Sequence, residues 1–331
     1  MKLKANRIRP VALCAGLLLA CGVLVSCGGG GTQANTFVAK RVIAFGDEMS
    51  VINADGSKYT VNAVLTTDNT KFDCASNPIW VQSVAALYGL VFPQCKGDVP
   101  APASRIWATN HATVADLATQ IAQQTSDGGF ASDDMVTVLV GSNDIVAQFS
   151  TYPGVPESQL IDNLKRAGAT LAAQVNSLAE RGAKVLVSTT PDLGRAPVAG
   201  DRSSGSTNVN PGVLTRLSAA FNDGLLGSLN NDGRKIGLVQ LDAYVQAVDS
   251  SRAAGGGLFI NTTLGACLAT SLPPACTTLT MGTDAAAIPP PTVVSTANGL
   301  SWLWADAIHL SAGGQSGLGA IATTRARNNP F

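Results

Sequence analysis

Short apolar runs along the chain alternate with longer segments in which apolar residues recur at helical spacing. The clearest helix is predicted from Glu157 to Arg181, where leucine and valine recur at multiples of three and four and Gly182 follows as a terminator. Further helices are predicted at Pro78–Leu90, from Thr113 to about Gln124, at Val213–Leu229, and from His309 to about Arg325. Apolar runs of strand length lie at Arg41–Phe45, Met135–Val140, Val185–Thr189 and Ile236–Leu241. This alternation predicts a three-layer α/β/α domain with a mainly parallel sheet covered on both faces.

Two segments interrupt the alternation. Val51 to Phe72 is polar throughout, and we predict a loop there with a hairpin at Lys58–Val61. From Ser250 to Asn298 the pattern gives way to Gly, Thr, Pro and Ala, a length typical of a lid, a binding loop or a disordered insertion. We therefore expect one domain over residues 40–331, with a long loop insertion at about 250–298.

The first 27 residues have the pattern of an export signal. Four basic residues precede an apolar run from Val11 to Val25, which is short for a membrane span. The run ends in Leu24-Val25-Ser26-Cys27, which resembles a bacterial lipobox; an ordinary secretory peptide with an incidental cysteine is the alternative. The resemblance implies that Cys27 is lipidated and that residues 28–39 tether the domain to the bacterial cell envelope. No acidic residue follows Cys27 directly, which favours the outer membrane by analogy with lipoprotein sorting in enteric bacteria.

Composition and charge narrow the function classes. The chain has 331 residues, of which 46% are hydrophobic and 13% are charged, enough for a substantial core. Without the four basic residues of the signal, 18 basic residues remain against 22 acidic ones. This slightly acidic balance lacks the clustered Lys and Arg that nucleic-acid binding requires, so no nucleic-acid partner is expected.

Four cysteines remain after the signal and Cys27 are set aside. An even number in an oxidising compartment predicts disulfides, and of the three possible pairings we favour Cys74–Cys95 with Cys267–Cys276, because each pair brackets a short loop containing proline. A metal site would need a nearby His or a C-x-x-C spacing, and neither is present. We expect no metal and no cofactor.

Candidate chemistry lies at the ends of two predicted strands and before the last helix. The first strand ends in Gly46-Asp47-Glu48-Met49-Ser50, and a later one ends in Gly141-Ser142-Asn143-Asp144. The chain has only two His residues, and one of them, His309, follows Asp306 within one turn. A carboxylate at this spacing can fix the tautomer of an imidazole and stabilise its charged form.

These stretches, in this order, resemble the sequence blocks of the GDSL/SGNH hydrolases, and Ser76–Val81 and Thr190–Gly194 resemble the family as well. The resemblance implies an SGNH-hydrolase-like, flavodoxin-like fold and carboxylic-ester hydrolysis. It implies Asp306 and His309 as acid and base, and Asn143, in one block with Gly141, as an oxyanion donor.

The second family block normally supplies a Gly whose backbone N–H completes the oxyanion hole. Asn110 or His111 occupies that place here. If the position needs a positive φ, Asn tolerates it better than His, so Asn110 is our candidate.

Glu48 stands where the family carries its nucleophilic Ser. A carboxylate cannot form the ordinary acyl ester, and its charge would repel an oxyanion beside Asn143. Ser50 is the nearest hydroxyl, but it matches the second, non-catalytic Ser of the block and lies too far along the chain for attack geometry. Glu48 facing His309 should raise the pKa of the imidazole.

Three functions stay open. The protein could be an esterase or lipase relative that uses Glu48 as a base for water attack or Ser50 as a displaced nucleophile. It could be a pseudoenzyme that binds a small acyl or glycan ester without turning it over, or a structural envelope lipoprotein. The missing nucleophile favours binding or an altered mechanism, and the retained Asn143, Asp306 and His309 favour some use of the cleft.

Overall fold

The computed structural model describes residues 37–200, 210–282 and 299–331. In chain order the strands and helices are β1 (Arg41–Gly46), β2 (Val64–Leu65), β3 (Asp68–Phe72), α1 (Trp80–Leu87), β4 (Arg105–Ile106), α2 (Val114–Ser126), β5 (Asp134–Leu139), α3 (Ser142–Phe149), α4 (Glu157–Glu180), β6 (Lys184–Ser188), α5 (Pro211–Ser228), β7 (Ile236–Val239), α6 (Leu241–Ala253), β8 (Asn261–Gly265), β9 (Trp302–Trp304) and α7 (Ala312–Asn328). The predicted signal, Cys27 and the tether up to residue 36 lie outside the described residues, as does the 283–298 part of the predicted insertion.

The central sheet has five strands in the order β4-β1-β5-β6-β7. All of its pairings are parallel, and every residue of β5 is buried. Strands buried on both faces need covering layers, and the helices supply them. Helices α2 to α5 pack together on one side, while α1 packs against α7 on the other. The predicted three-layer α/β/α architecture with a mainly parallel sheet is confirmed.

The sheet and its helices enclose a core of aliphatic and aromatic side chains, and residues 37–331 form one compact unit. A chain lacking residues 1–27 therefore keeps the whole core. No helix among the described residues is long and apolar enough to cross a membrane.

The predicted helices and strands are present with ends shifted by a few residues, but the hairpin prediction is wrong. The hairpin is formed by β2 and β3 and not by Lys58–Val61. Lys58 instead turns into the interior, where its Nζ donates to the carbonyls of Cys74 (3.0 Å) and Ser76 (2.7 Å). The polar stretch after β5 is helical, since α3 begins at Ser142.

The predicted insertion is also more ordered at its start than its composition indicates. Helix α6 continues to Ala253, and its inward positions are Leu241, Val245 and Asp249, too few apolar residues to reveal a helix. Strand β8 then pairs in parallel with β9, so both belong to the folded domain.

Both disulfides pair as predicted. Cys74 and Cys95 have their Cα atoms 5.4 Å apart, and the Cα atoms of Cys267 and Cys276 are 5.8 Å apart. Asn62 links the second loop to the domain, since its Nδ2 donates to the Pro274 carbonyl at 2.9 Å and its backbone N–H donates to that of Cys276 at 2.9 Å.

Candidate active site

The site is built at the carboxyl ends of β1 and β5. These strands are parallel neighbours in which Gly46 pairs with Leu139, so the segments that follow them emerge side by side. Gly46 has a φ of +123°, and a Cβ there would collide with the Leu139 carbonyl, so the turn out of β1 requires glycine. The chain then enters a 3-10 turn over Glu48–Ser50.

Asp47 caps this turn. Its Oδ1 accepts from the Met49 N–H at 3.1 Å, and the side chain is fully buried. Its Oδ2 has no hydrogen-bond partner among the described residues. Burial, and next the charge of Glu48, raise the pKa of Asp47 well above its ordinary value. Asp47 therefore holds its proton more strongly than an exposed Asp does, beside a Glu48 whose pKa is lowered.

The Glu48 carboxylate lies among three hydrogen-bond donors. Its Oε2 accepts from the backbone N–H of His111 at 2.8 Å and from Nδ2 of Asn143 at 3.0 Å. Its Oε1 lies 3.3 Å from Nε2 of His309. Only 2% of Glu48 is exposed, so these protein groups take the place of water around the charge.

His309 is fixed from its other side by Asp306. The Oδ2 of Asp306 lies 2.7 Å from Nδ1 of His309, and its Oδ1 accepts from the backbone N–H groups of Ile308 (3.0 Å) and His309 (2.8 Å). These contacts orient the imidazole so that Nε2 faces Glu48. The structure thus brings together four of the predicted site residues: Glu48, Asn143, Asp306 and His309.

The two carboxylates set the charge of the imidazole. Burial alone would lower the pKa of His309, but hydrogen bonds and charges from Asp306 and Glu48 outweigh it and raise the pKa to about 10. Burial alone would raise the pKa of Glu48, but His309 and Asn143 lower it. At neutral pH the imidazole is therefore a cation held between two anions, in agreement with the raised pKa expected from the sequence.

The backbone donor at Glu48 comes from His111, the neighbour of the predicted Asn110. His111 has a φ of +56°, a left-handed conformation that points its N–H at Glu48, whereas Asn110 makes no hydrogen bond to Glu48 in the described structure. Asn favours this conformation more than His does, but the exposed His111 side chain meets no obstacle to it. The oxyanion role of Asn110 stays a prediction.

Ser50 and Gly141 do not join the cluster. The Ser50 hydroxyl is fully buried and accepts a hydrogen bond from Nε1 of Trp80 at 3.1 Å. Gly141 has a φ of +131°, and a Cβ there would collide with the Phe221 ring and Thr190. Gly141 thus allows the start of α3 to lie close to Phe221 and Thr190, but it makes no hydrogen bond to Glu48 within the described ranges.

Two further residues of the site escaped the sequence analysis. The Tyr59 ring lies 5.5 Å from the imidazole of His309, centroid to centroid. The Asp144 carboxylate accepts from the N–H of Val114 at 3.1 Å, which ties α3 to the start of α2 beside the His111 loop. Burial raises the pKa of Asp144 to about 6. Asp144 follows Asn143 directly and could have been found, whereas nothing in the polar 51–72 segment marks Tyr59.

No group of three or more His, Cys, Asp and Glu side chains in the described part of the chain could hold a metal ion. The parallel sheet and its covering helices define an α/β protein of the hydrolase-like kind. Residues 55–319 match the family model for GDSL-like Lipase/Acylhydrolase, and the chain belongs to this family. The match begins after Glu48, so the block that carries the substitution lies outside it.

Solved structures of esterases and lipases are similar to this chain at low sequence identity. The acetyl xylan esterase AlAXEase is 13% identical, with 86% of this chain and 98% of that chain covered and a TM-score of 0.45. The lipase Lip_vut3 from a goat rumen metagenome is 11% identical, with 87% and 97% covered and a TM-score of 0.46. The extracellular lipase from Streptomyces rimosus is 15% identical, with 88% and 100% covered and a TM-score of 0.40. A search of curated proteins finds no significant match.

Proposed function

We propose that the protein is a non-hydrolysing member of its family, carried on the bacterial cell envelope by a lipid at Cys27. The observation that carries the proposal is the carboxylate of Glu48, which accepts from the His111 N–H and from Asn143 and faces His309. These are the groups that would stabilise an oxyanion and move a proton in acyl transfer. Glu48 both replaces the nucleophile and fills the site in which the oxyanion would develop.

Formation of an acyl-enzyme requires a nucleophilic hydroxyl, and none faces His309 among the described residues. Ser50 cannot supply it, because its Oγ is buried and engaged by Trp80 instead of facing His309. An oxyanion would also have to displace the Glu48 carboxylate from Asn143 and His111, and the negative charge would remain nearby. Both effects oppose an acyl-enzyme.

Direct attack by water lacks a base. A general base works best with a pKa near the working pH, but the pKa of Glu48 is lowered and that of His309 is raised to about 10. The imidazole is already protonated at neutral pH, and Glu48 is its counter-ion. The altered-hydrolysis alternative is therefore the weaker one.

A small acyl or glycan ester remains our proposed ligand class. The side chains of Asn110 and His111 are exposed beside the buried Glu48, so such a ligand would contact these side chains and not the donors that Glu48 occupies. The outer membrane remains the proposed location.

Hydrolysis is tested with the chain lacking residues 1–27 and short-chain aryl esters. We expect background rates for the native sequence, and turnover in Glu48→Ser that disappears in Glu48→Ser/His309→Ala. Native turnover that His309→Ala abolishes would overturn the proposal. If Glu48→Ser stays inactive while it is folded, the loss of function extends beyond the nucleophile, and His111→Gly is added to that variant.

Anchoring is tested separately in cells. The full chain should be recovered with membranes, and Cys27→Ala should lose acyl incorporation and pass to the soluble fraction after the signal is removed. Acylation or membrane recovery unchanged in Cys27→Ala would contradict the lipid anchor.

A further inference from the structure

Cationic side chains collect at the end of the domain opposite Glu48. The strands are parallel, so Lys184, which begins β6, and Lys235, which precedes β7, lie at the amino ends of the sheet. The stem of Arg325 lies beside Gly237 of β7, and Asn329 donates to the Ile236 carbonyl at 3.1 Å. The end of α7 therefore reaches the same edge.

Most of the acidic groups at this end are already neutralised by ion pairs. Lys40 pairs with Asp133, Arg41 with Asp134, and Arg234 with Asp232. Within the described residues, the cations at this end that form no ion pair, here called the basic pole, are Arg181, Lys184, Lys235, Arg325 and Arg327. Against them stands Glu180.

The basic pole contrasts with the rest of the chain. The chain after the signal has more acidic than basic residues, so a group of cations without ion pairs differs from the average of the chain. The cations of the basic pole thus give this end a local positive charge, and an uneven charge distribution orients a protein in the field of a charged surface.

The chain enters the domain at the basic pole. The ring of Phe37, the first described residue, lies 5.8 Å from that of Phe331, which in turn lies beside Gly237. A chain of ten peptide steps from Cys27 to Phe37 reaches at most about 35 Å, so a lipid at Cys27 would hold this end nearest the bilayer.

We infer that the basic pole docks on anionic phospholipid headgroups, so that the Glu48 end of the domain faces away from the membrane. The inference rests on the proposed lipid anchor, which brings the pole to the surface. The anchor supplies affinity, and the pole supplies orientation, because attraction to an anionic surface falls off within about 8 Å at physiological ionic strength.

The test uses the chain lacking residues 1–27, which keeps the whole core, so lipid at Cys27 plays no part in the result. Sedimentation is measured with vesicles of phosphatidylcholine alone and with vesicles that contain phosphatidylglycerol, at low ionic strength. We expect binding only to the anionic vesicles, and its loss when salt is added. Binding to neither vesicle, or equal binding to both, would overturn the inference.

Arg325→Glu/Arg327→Glu should weaken this binding at least about tenfold, since each basic residue at an anionic surface contributes about fivefold in affinity. The control Lys165→Glu/Arg166→Glu changes the net charge equally on an exposed face of α4 and should bind like the native sequence. Equal weakening in both variants would show a response to net charge alone and would overturn the docking surface. If the vesicle test fails while anchoring still depends on Cys27, the docking inference is overturned and the proposed function is unaffected.

Discussion

Nε2 of His309 lies 3.3 Å from Oε1 of Glu48, and Nδ1 of the same ring lies 2.7 Å from Oδ2 of Asp306. The imidazole is thus held from both sides by carboxylates in a nearly closed site, where only 9% of His309 is exposed. In a hydrolase, the Nε2 side of the imidazole would face a hydroxyl and take its proton. Here the same geometry forms an ion pair, and its effects should be found in stability as well as in activity.

Removal of the Glu48 carboxylate should destabilise the fold. Glu48→Ala leaves the Asn143 amide and the His111 N–H without their acceptor and the His309 cation without one of its counter-ions. Breaking a buried charge pair from one side typically costs about 3 kcal/mol, and we expect a loss of that order in the free energy of unfolding. Glu48→Gln keeps an acceptor oxygen, so its free energy of unfolding should lie between that of the native protein and that of Glu48→Ala.

Denaturant unfolding measures this order, with Asn110→Ala as the control on an exposed neighbour that does not contact Glu48. A Glu48→Ala variant as stable as the native protein would mean that the carboxylate is not bound as described.

The ion pair should also give stability a definite pH dependence. The pKa of His309 is about 10 in the fold, against an ordinary value of 6.5, so its contribution is complete below pH 6.5 and is lost as the pH rises towards 10. Glu48 acts at the acidic end of the pH range. Its pKa is lowered in the fold, so its contribution to stability is lost as the pH falls through the pKa of the folded state. Imidazole resonances should show His309 still protonated at pH 8.

Lys58 acts in the opposite direction over the alkaline range. Burial lowers its pKa to about 8, so the fold gains relative stability as the pH rises from about 8 towards the ordinary Lys value of 10.5. The His309 contribution is therefore taken as the difference between the native protein and His309→Gln at each pH. A difference that does not shrink between pH 6.5 and 10 would contradict the ion pair.

The His111 position should accept glycine and reject a branched side chain. Its φ of +56° costs a non-glycine residue about 1 kcal/mol, and only its backbone N–H contacts Glu48. His111→Gly should therefore leave the unfolding free energy within about 1 kcal/mol of the native value, while His111→Val should lower it by about 2 kcal/mol. In the Glu48→Ser background, His111→Gly should retain ester turnover and His111→Val should reduce it.

If His111→Val were as stable as His111→Gly, the left-handed conformation would be in error. His111→Ala is the matched control, because it removes the imidazole without adding a branch.

Periodicity in the sequence was sufficient to predict the helices and strands of the three layers. It was not sufficient to predict which side chains of the polar segments are buried. The leucines and valines of α4 recur on one buried face, so its length could be read within one residue. Lys58 is fully buried although it lies in a polar segment, because two backbone carbonyls satisfy its Nζ. A pattern of residue types cannot reveal those acceptors, which are carbonyls of a loop 16 residues or more away.

The contacts of the site also divide into those that sequence spacing indicates and those that it does not. The Asp306–His309 contact spans three residues and is local, so its spacing indicated it. Glu48 and His309 are 261 residues apart, and only the matched block order suggested that they meet. The hydrogen bonds from Asn143 and His111 to Glu48 depend on where one carboxylate points, and no sequence spacing encodes that.

Ser50→Ala separates a structural hydroxyl from a catalytic one. The Ser50 Oγ accepts from Nε1 of Trp80 at 3.1 Å, and both side chains are fully buried. Its removal leaves the indole N–H without an acceptor, so we expect a loss of about 1–2 kcal/mol in unfolding free energy. In the Glu48→Ser background, ester turnover per folded molecule should stay unchanged.

Trp80→Phe removes the donor of this hydrogen bond instead of the acceptor. Combined with Ser50→Ala, it should lower the free energy of unfolding by less than the sum of the two single losses. Turnover that disappears in Glu48→Ser/Ser50→Ala while the protein remains folded would assign Ser50 to catalysis and contradict its place in the core.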